Sequence, residues 1–243
     1  MKEEALTILS NEKVGLDVYL MKLQSQDKLD LKAGQFAELK IDKFYLRRPI
    51  SIFEFKDNQV GFLYKVLGKG TKTMSQMKKG ETIDTILGLG NGFDLSKANK
   101  PLLIGGGIGI APLYQLGKEL KALNKEVTFL FGFKNKDEIM MIDEFSKIGN
   151  VIITTDDGSY SYKGNPLSYL KDNQIDFDYY YACGPLIMLK FLSSSFANGE
   201  VSLEARMGCG FGACMGCSIK TTNGFKRVCK EGPVFKASEV IYE

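Results

Sequence analysis

The chain has 243 residues, of which 44% are hydrophobic and 25% charged, and its net charge is +3. This is an ordinary globular composition, and the charge is too small to favour a nucleic acid or an anionic membrane as partner. The sequence has no histidine, which excludes histidine acid–base catalysis, Ser-His-Asp and Cys-His nucleophiles, and zinc sites with a histidine ligand. Hydride or electron transfer, which needs no proton shuttle, is compatible with this composition.

The N-terminal sequence MKEEALTILS is acidic and does not have the pattern of a signal peptide. The most apolar stretch, PLLIGGGIGIAPLYQLG, is interrupted by glycine and proline and is too short to span a bilayer. We therefore expect a soluble, cytoplasmic protein. A reducing cytosol disfavours structural disulfides and favours metal-bound or catalytic cysteines.

The first 98 residues predict short strands separated by turns. EALTILSNEKVGLDVYLMKLQ is typical of a hairpin, and further strands are predicted in LDLKAGQFAELKI, RRPISIFEF, QVGFLYKVLGKGT and ETIDTILGLG. One helix is expected within TKTMSQMKKG. Strands at this spacing indicate a barrel or a sandwich.

From residue 99 to residue 200 the pattern alternates between strands and helices. Buried strands are predicted in KPLLIGGG, EVTFLFGF, NVIITTDDG and FDYYYACG, each followed by a helical stretch, namely APLYQLGKELKALNK, DEIMMIDEFSKIG, NPLSYLKDNQ and PLIMLKFLSSSF. This alternation predicts a doubly wound parallel α/β sheet. Residues 201–243 are rich in cysteine and glycine and are expected to form a small loop-built domain.

Four cysteines in this last segment have the spacing C-x4-C-x2-C-x11-C, and they are Cys209, Cys214, Cys217 and Cys229. This is the plant-type pattern of a [2Fe–2S] cluster. Interspersed glycines allow the backbone to wrap the cluster closely. A zinc site is the main alternative, but four-cysteine zinc sites usually contain two C-x2-C pairs. A lone redox C-x-x-C would leave Cys209 and Cys229 unexplained.

A second glycine-rich turn, LLIGGGIGIAPL, lies where a predicted strand meets a helix. Its glycines, 105, 106, 107 and 109, would let a pyrophosphate approach the backbone. The G-x-G-x-x-G/A fingerprint fails at Ile110, so a purely structural turn remains an alternative. Cys183 ends the fourth predicted strand, and this position favours a ligand-facing role over the alternative of a buried structural thiol.

The stretch YLRRPISIF places Arg47 and Arg48 before Pro49. Arginine offers a planar fork for phosphate oxygens, and Ser51 adds a small hydroxyl. The turn in LYKVLGKGTKTM adds a second anion-binding element nearby. Taken alone, two surface arginines on an edge strand would be the better explanation of the pair.

RPIS, GKGT, GGGIGIAPL and CGP, followed by the cysteine pattern, together resemble the ferredoxin–NADP reductase superfamily. Within it the chain resembles the iron–sulfur electron-transfer subunits of NAD-dependent, type B, dihydroorotate dehydrogenases, and TTDDGSYSYKG and VCKEGPVF are also similar. The resemblance implies a flavin-binding β-barrel at 1–98, an NAD-binding α/β domain at 99–200 and a [2Fe–2S] domain at 201–243.

The resemblance also implies the residues that hold each cofactor. For FAD they are Arg48, Pro49, Ile50, Ser51, Leu63, Tyr64, Lys65, Gly70 and Thr71, although many relatives have arginine where this chain has Lys65. For NAD they are Gly105, Gly106, Gly107, Gly109, Cys183, Gly184 and Pro185. The cluster ligands are Cys209, Cys214, Cys217 and Cys229. No residue of this chain is expected to be catalytic in the acid–base sense.

The function implied by the resemblance is a redox relay in pyrimidine biosynthesis. An FMN-containing catalytic subunit, two copies paired with two of this chain, would oxidise dihydroorotate, and electrons would pass through [2Fe–2S] and FAD to NAD+. No nucleic acid or membrane partner is expected. The alternatives are a reductase subunit of a sulfhydrogenase or of a ferredoxin-dependent NADP reductase, and, from another class, a zinc-stabilised nucleotide-binding module without redox activity.

Overall fold

A computed structural model describes residues 1–242, and its N-terminal part is a seven-stranded antiparallel sheet. The strands are β1 (Lys2–Gly15), β2 (Val18–Gln24), β3 (Phe36–Leu39), β4 (Arg48–Ser51), β5 (Glu54–Lys56), β6 (Gln59–Lys65) and β7 (Thr82–Leu89). Their order is β4-β3-β7-β1-β2-β6-β5. The predicted hairpin is confirmed as β1 and β2, which pair from Thr7–Gln24 to Gly15–Val18.

One segment brings the two edges of this sheet together. β4 pairs with β3, whereas β5, two residues further along the chain, pairs with β6. Between them the Phe53 amide donates a hydrogen bond to the Gly61 carbonyl at 2.9 Å. The sheet therefore curls into a barrel around an apolar core.

The helix predicted in TKTMSQMKKG is shorter and begins earlier, as α1 (Lys69–Met74). Thr71 Oγ1 accepts hydrogen bonds from the amides of Leu67 and Gly68, which fixes the start of the helix. The Asn11 amide donates to the carbonyls of Met74 and Met77 at 2.9 and 3.0 Å. This side chain from β1 thus satisfies the carbonyl of the last helical residue and one carbonyl of the turn that follows.

The second sheet contains the predicted parallel strands. They are β8 (Pro101–Gly106), β9 (Thr128–Phe133), β10 (Asn150–Thr155), β11 (Tyr162–Lys163), β12 (Tyr179–Cys183) and β13 (Gly199–Ser202). Across the sheet the order is β11-β10-β9-β8-β12-β13. The strands are parallel, but from β8 the chain first adds strands on one side and then, from β12, on the other. In doubly wound sheets, ligands bind beside the carboxyl ends of the strands at such a reversal.

Helices cover both faces of this sheet: α2 (Ala111–Ala122), α3 (Ile142–Ser146), α4 (Pro166–Asp172) and α5 (Leu186–Ser195). Leu113 of α2 and Phe145 of α3 belong to one apolar cluster, whereas Leu167 of α4 and Leu189 of α5 belong to another. Phe53 stacks on Tyr114 at 4.3 Å between ring centroids, which packs α2 against the barrel.

The single helix predicted in DEIMMIDEFSKIG is wrong in its extent. A 3-10 turn covers Lys136–Glu138 and α3 begins only at Ile142. The interruption lies at Met141, whose φ of 59° is left-handed. Met140 beside it is buried in the apolar core, so packing overrides the helical pattern of the sequence.

The C-terminal segment is more regular than the loop-built domain predicted. It contains a hairpin of β14 (Ser218–Thr221) and β15 (Gly224–Arg227), followed by β16 (Val234–Lys236). β16 pairs antiparallel with β13 and thus extends the second sheet. The boundary predicted at 200/201 falls within β13, and residue 243 lies outside the described residues. The division into three domains stays a prediction.

Across residues 1–242, no helix has both the length and the apolar character needed to cross a membrane.

Candidate functional site

A cavity of about 280 Å³ lies where the barrel, the α/β sheet and the C-terminal segment meet. All four residues of β4 line it, together with the end of β6 and the start of α2. Eight of the nine residues predicted for FAD line this cavity: Arg48, Pro49, Ile50, Ser51, Leu63, Tyr64, Lys65 and Thr71. The ninth, Gly70, lines a shallower depression beside it, which Arg48 and Thr71 also border.

Arg48 lies between the cavity and this depression. A Cβ at Gly70 would overlap the Arg48 guanidinium, so glycine there permits the close approach. The guanidinium carbon lies 4.9 Å from the centroid of the Phe44 ring, and Nη1 donates to the Leu46 carbonyl at 2.5 Å. Among described side chains no carboxylate forms an ion pair with Arg48, so its charge is available to an anionic ligand.

Several lining residues come from the C-terminal part and were not predicted from the sequence. They are Leu203, Glu204, Ala205, Met207 and Pro233. The stretch LEARM has neither helical nor strand periodicity, and its position depends on β13 leading it to the barrel. The one sequence signal for this wall was a single acid, Glu204, between apolar residues. In the structure, burial raises the pKa of the Glu204 carboxyl.

A second cavity, of about 330 Å³, lies at the carboxyl ends of the parallel strands. Gly106 and Phe133, which end β8 and β9, and Asp156, which follows β10, line it, and the start of α5 forms an apolar wall. Its shape and place agree with the ligand site expected at a reversal of strand order. The cavity is lined by Gly106, Gly107, Gly132, Phe133, Lys134, Glu138, Asp156, Asn165, Pro166, Leu167, Pro185, Ile187, Met188 and Phe191.

The predicted glycines of the β8 turn divide into two kinds. Gly106 and Gly107 line the second cavity, and Gly107 has a φ of +55° with no described atom within 4 Å of a Cβ placed on it. Gly105 and Gly109 instead allow close packing. A Cβ at Gly105 would lie 2.7 Å from Ile110, and one at Gly109 would overlap the Cys183 carbonyl.

The three residues predicted after β12 also differ in position. Pro185 lines the second cavity, whereas Cys183 and Gly184 border neither large cavity among the described residues. Cys183 is 1% exposed, and burial strongly raises the pKa of its thiol. Gly184 has a φ of +152° and packs its Cα against Gly106. A direct ligand contact by Cys183 stays a prediction.

An ion pair joins the two cavities. Lys65 Nζ, which borders the first, lies 3.2 Å from Glu138 Oε1, which borders the second. Ligands in the two cavities would therefore occupy neighbouring spaces on either side of one salt bridge.

The cysteine loop presents backbone amides to sulfur. The amides of Ala213 and Cys214 donate to Cys209 Sγ at 3.2 and 3.4 Å, and the Cys229 amide donates to Cys217 Sγ at 3.4 Å. Gly210, with a φ of +75°, makes the required turn. Such N–H donors stabilise thiolate and sulfide charge, which is the environment that an iron–sulfur cluster needs.

Cys214 acts on the pKa of the Cys209 thiol and Cys217 on that of the Cys229 thiol, so the four thiols lie as two neighbouring pairs. Within residues 1–242, no three histidine, cysteine or acidic side chains are grouped closely enough to hold a single metal ion. A [2Fe–2S] cluster takes two thiolates at each iron, so two pairs fit it better than one zinc ion does. All five cysteines are free thiols.

Arg227, the last residue of β15, holds the cysteine loop in place through its guanidinium group. Its Nη1 donates to the Gly212 carbonyl at 2.5 Å, and its Nη2 pairs with Glu231. This pairing lowers the pKa of the Glu231 carboxyl to about 2. The loop that carries three thiols is thus fixed to the hairpin that leads to the fourth.

A curled barrel, a doubly wound sheet with a cavity at its reversal, and a paired-thiol loop define an oxidoreductase of the flavin- and nicotinamide-linked reductase fold. Residues 103–194 match the family model of the oxidoreductase NAD-binding domain, and residues 204–241 match that of the iron–sulfur cluster binding domain of dihydroorotate dehydrogenase B. The chain belongs to the family of dihydroorotate dehydrogenase B electron transfer subunits.

Membership rests on relatives that match the whole chain. The electron transfer subunit of dihydroorotate dehydrogenase B (NAD(+)) from Fusobacterium nucleatum is 40% identical over 100% of both chains. The corresponding subunit from Streptococcus thermophilus is 41% identical over 98% of both.

Solved structures agree on the fold. A chain of the NADH-dependent reduced ferredoxin-NADP oxidoreductase superposes with a TM-score of 0.88 at 30% identity, covering 98% of this chain and 90% of its own length. Phthalate dioxygenase reductase superposes with a TM-score of 0.70 at 15% identity, covering 90% of this chain and 87% of its own.

Proposed function

We propose that this chain carries electrons to NAD+ from a separate catalytic subunit, which oxidises dihydroorotate. It would do so by binding FAD, NAD and a [2Fe–2S] cluster. One observation carries the proposal: two adjoining cavities share the Lys65–Glu138 ion pair, and the cysteine loop packs at Gly210 against β3, the strand whose Phe36 lines the first cavity. When bound, the cluster supplies one-electron transfer and FAD converts single electrons into a hydride.

The first cavity fits FAD. Arg48 and the turn at Gly70–Thr71 would hold the pyrophosphate, because the guanidinium has no described carboxylate partner and the glycine leaves room beside it. The apolar remainder of the wall, including Leu63 and Ile50, would exclude water from the bound group. The acids at the cavity are few, and no side chain here is assigned an acid–base role.

The second cavity fits NAD in preference to NADP. Gly106 and Gly107 would admit the pyrophosphate, and Pro185 would border the nicotinamide. Asp156 and Glu138 stand in the wall, Lys134 is the one lysine there, and no arginine lines it among the described residues. A 2′-phosphate, which usually requires arginine, would meet carboxylates instead.

The partner proposed is an FMN-containing catalytic subunit, joined as two copies of each chain in the cytoplasm. The name of the relatives, electron transfer subunit, supports a separate catalytic chain. Size-exclusion chromatography with light scattering of the co-expressed chains tests the stoichiometry. A species containing one copy of each chain would contradict the proposed tetramer.

Arg48→Ala is expected to weaken FAD retention. Loss of a charge-assisted bond to phosphate removes about 1.5–3 kcal/mol, so the FAD dissociation constant should rise about tenfold or more. Arg47→Ala is the matched control, because Arg47 pairs with Glu3 and Asp84 instead of lining the cavity. Flavin content and fluorescence titration measure both. Equal FAD retention in the two variants would remove Arg48 from the site.

In iron-free protein, Cys209 is expected to react with iodoacetamide at lower pH than Cys229. Burial raises the pKa of the Cys209 thiol, but the amides of Cys214, Phe211 and Ala213 outweigh it and lower that pKa to about 6. Burial and the neighbouring Cys217 raise the pKa of Cys229 to about 12. Because the thiolate is the form that reacts, alkylation of Cys209 should rise between about pH 5 and pH 7. Peptide mass spectrometry measures the alkylated fraction at each pH. A midpoint near pH 8.5 would contradict the lowered pKa.

Dihydroorotate-dependent reduction of NAD+ by the complex reconstituted from both chains tests the proposed function. We expect NADH to form only when both chains are present. If the complex instead reduces NADP+ from ferredoxin, or evolves hydrogen or sulfide, the related reductase roles apply. A colourless chain that contains zinc and no flavin would contradict the redox functions and support the alternative of a zinc-stabilised nucleotide-binding module.

A further inference from the structure

Glu38 is a buried acid on β3 that the proposed relay does not use. It is 1% exposed, and its cross-strand neighbours are Pro49 on β4 and Ile86 on β7. Its Oε1 is the one buried side-chain oxygen or nitrogen within residues 1–242 that lacks a hydrogen-bond partner. Burying a carboxylate without a partner destabilises a fold.

The carboxylate faces the cysteine loop. A Cβ at Gly210 would overlap Glu38, so the carboxylate packs directly against the backbone of the residue that follows Cys209. The charged or titratable groups whose fields reach it are Arg47, Arg48 and Cys209. Burial raises the pKa of the Glu38 carboxyl to about 7, which the two guanidinium groups partly oppose.

Neither arginine neutralises this acid by contact. Arg47 pairs with Glu3 and Asp84, at 2.6 and 3.2 Å. Arg48 donates to the main-chain carbonyls of Leu46 and Arg47. Above its pKa of about 7, the Glu38 carboxyl carries its negative charge in a buried region beside the loop, where Coulomb interactions are stronger than in water.

We infer that Glu38 is a positioning residue for the cysteine loop and that its carboxylate lowers the reduction potential of the [2Fe–2S] cluster held there, an inference that rests on the proposed function. Reduction adds one negative charge to the cluster, and a fixed negative charge nearby opposes that addition. A lower potential makes the reduced cluster a stronger electron donor, which favours delivery toward NAD+.

The test is a redox titration of the cluster in the complex with the catalytic subunit at pH 8.5. Electron paramagnetic resonance monitors the reduced cluster at each potential. Glu38→Gln should raise the midpoint potential by about 59 mV, a tenfold change in the one-electron equilibrium. Glu54→Gln is the matched control: this carboxylate lies on β5 of the same sheet, paired with Lys22 and Lys118, and its loss should leave the potential unchanged.

A second variant separates charge from structure. Glu38→Met removes the buried charge and keeps an unbranched side chain, so it should raise both the midpoint potential and the unfolding temperature of the iron-free chain. An intact cluster signal with an unchanged potential in both Glu38 variants would overturn the inference and leave the proposed function standing. No [2Fe–2S] signal in the unmodified complex would overturn both.

Discussion

Cys214→Ser is expected to abolish dihydroorotate-dependent reduction of NAD+ while NADH still reduces the flavin. Cys214 lies beside Cys209 and lowers the pKa of its thiol, and the Cys214 amide donates to Cys209 Sγ at 3.4 Å. A serine hydroxyl is a harder and far less acidic ligand than a thiol, so one of the two thiol pairs would be lost. Cys214 lines neither of the cavities proposed for FAD and NAD.

The measurement has two parts, each on the complex of both chains. Iron and acid-labile sulfide report the cluster, and anaerobic addition of NADH with bleaching of flavin absorbance reports the nucleotide side. Cys183→Ser is the matched control for cluster content, because Cys183 ends β12 and is outside the paired thiols. Full dihydroorotate-dependent activity in Cys214→Ser would show that electrons do not need the cluster.

Gly107→Asn is expected to block NAD binding and leave FAD in place. Gly107 lines the second cavity with a φ of +55°, and no described atom lies within 4 Å of a Cβ there. Asparagine tolerates the left-handed region better than other side chains, so the fold should survive. Its side chain would occupy the space where a pyrophosphate approaches the backbone, and the KM for NADH should rise at least about tenfold, the effect of losing 1.4 kcal/mol of binding.

Gly80→Asn provides the control for backbone strain. Gly80 also has a positive φ, +90°, with open space around a Cβ, and it lies in the turn before β7, away from both cavities. Stopped-flow flavin reduction over a range of NADH concentrations compares the two variants. Equal KM values in Gly107→Asn and the unmodified chain would place the dinucleotide elsewhere.

Local chemistry in the sequence predicted much of this site. The arginine before Pro49 and the glycine turn after β8 name residues that line the two cavities, and the cysteine spacing names the loop that packs against the barrel at Glu38. Alternation of strands and helices likewise predicted the parallel sheet. These features depend on short-range geometry, which one segment of chain determines by itself.

Contacts between segments that are distant along the chain could not be predicted from the sequence. The antiparallel β16, the cavity wall at Leu203–Met207 and the burial of Glu38 under Gly210 all depend on how the C-terminal segment returns to the barrel. The break at Met141 has the same origin, since the core selects Met140 over helix continuity. Within the glycine turn, only the structure separates ligand-facing glycines from Gly105 and Gly109.

The central claim is that one chain holds an iron–sulfur cluster and a flavin between its partner and NAD+. The most direct measurement is metal, sulfide and flavin analysis of the complex purified with its natural catalytic subunit. Our account predicts iron and acid-labile sulfide in equal amounts, with FAD retained by this chain. Zinc in place of iron, or a chain without flavin, would contradict it.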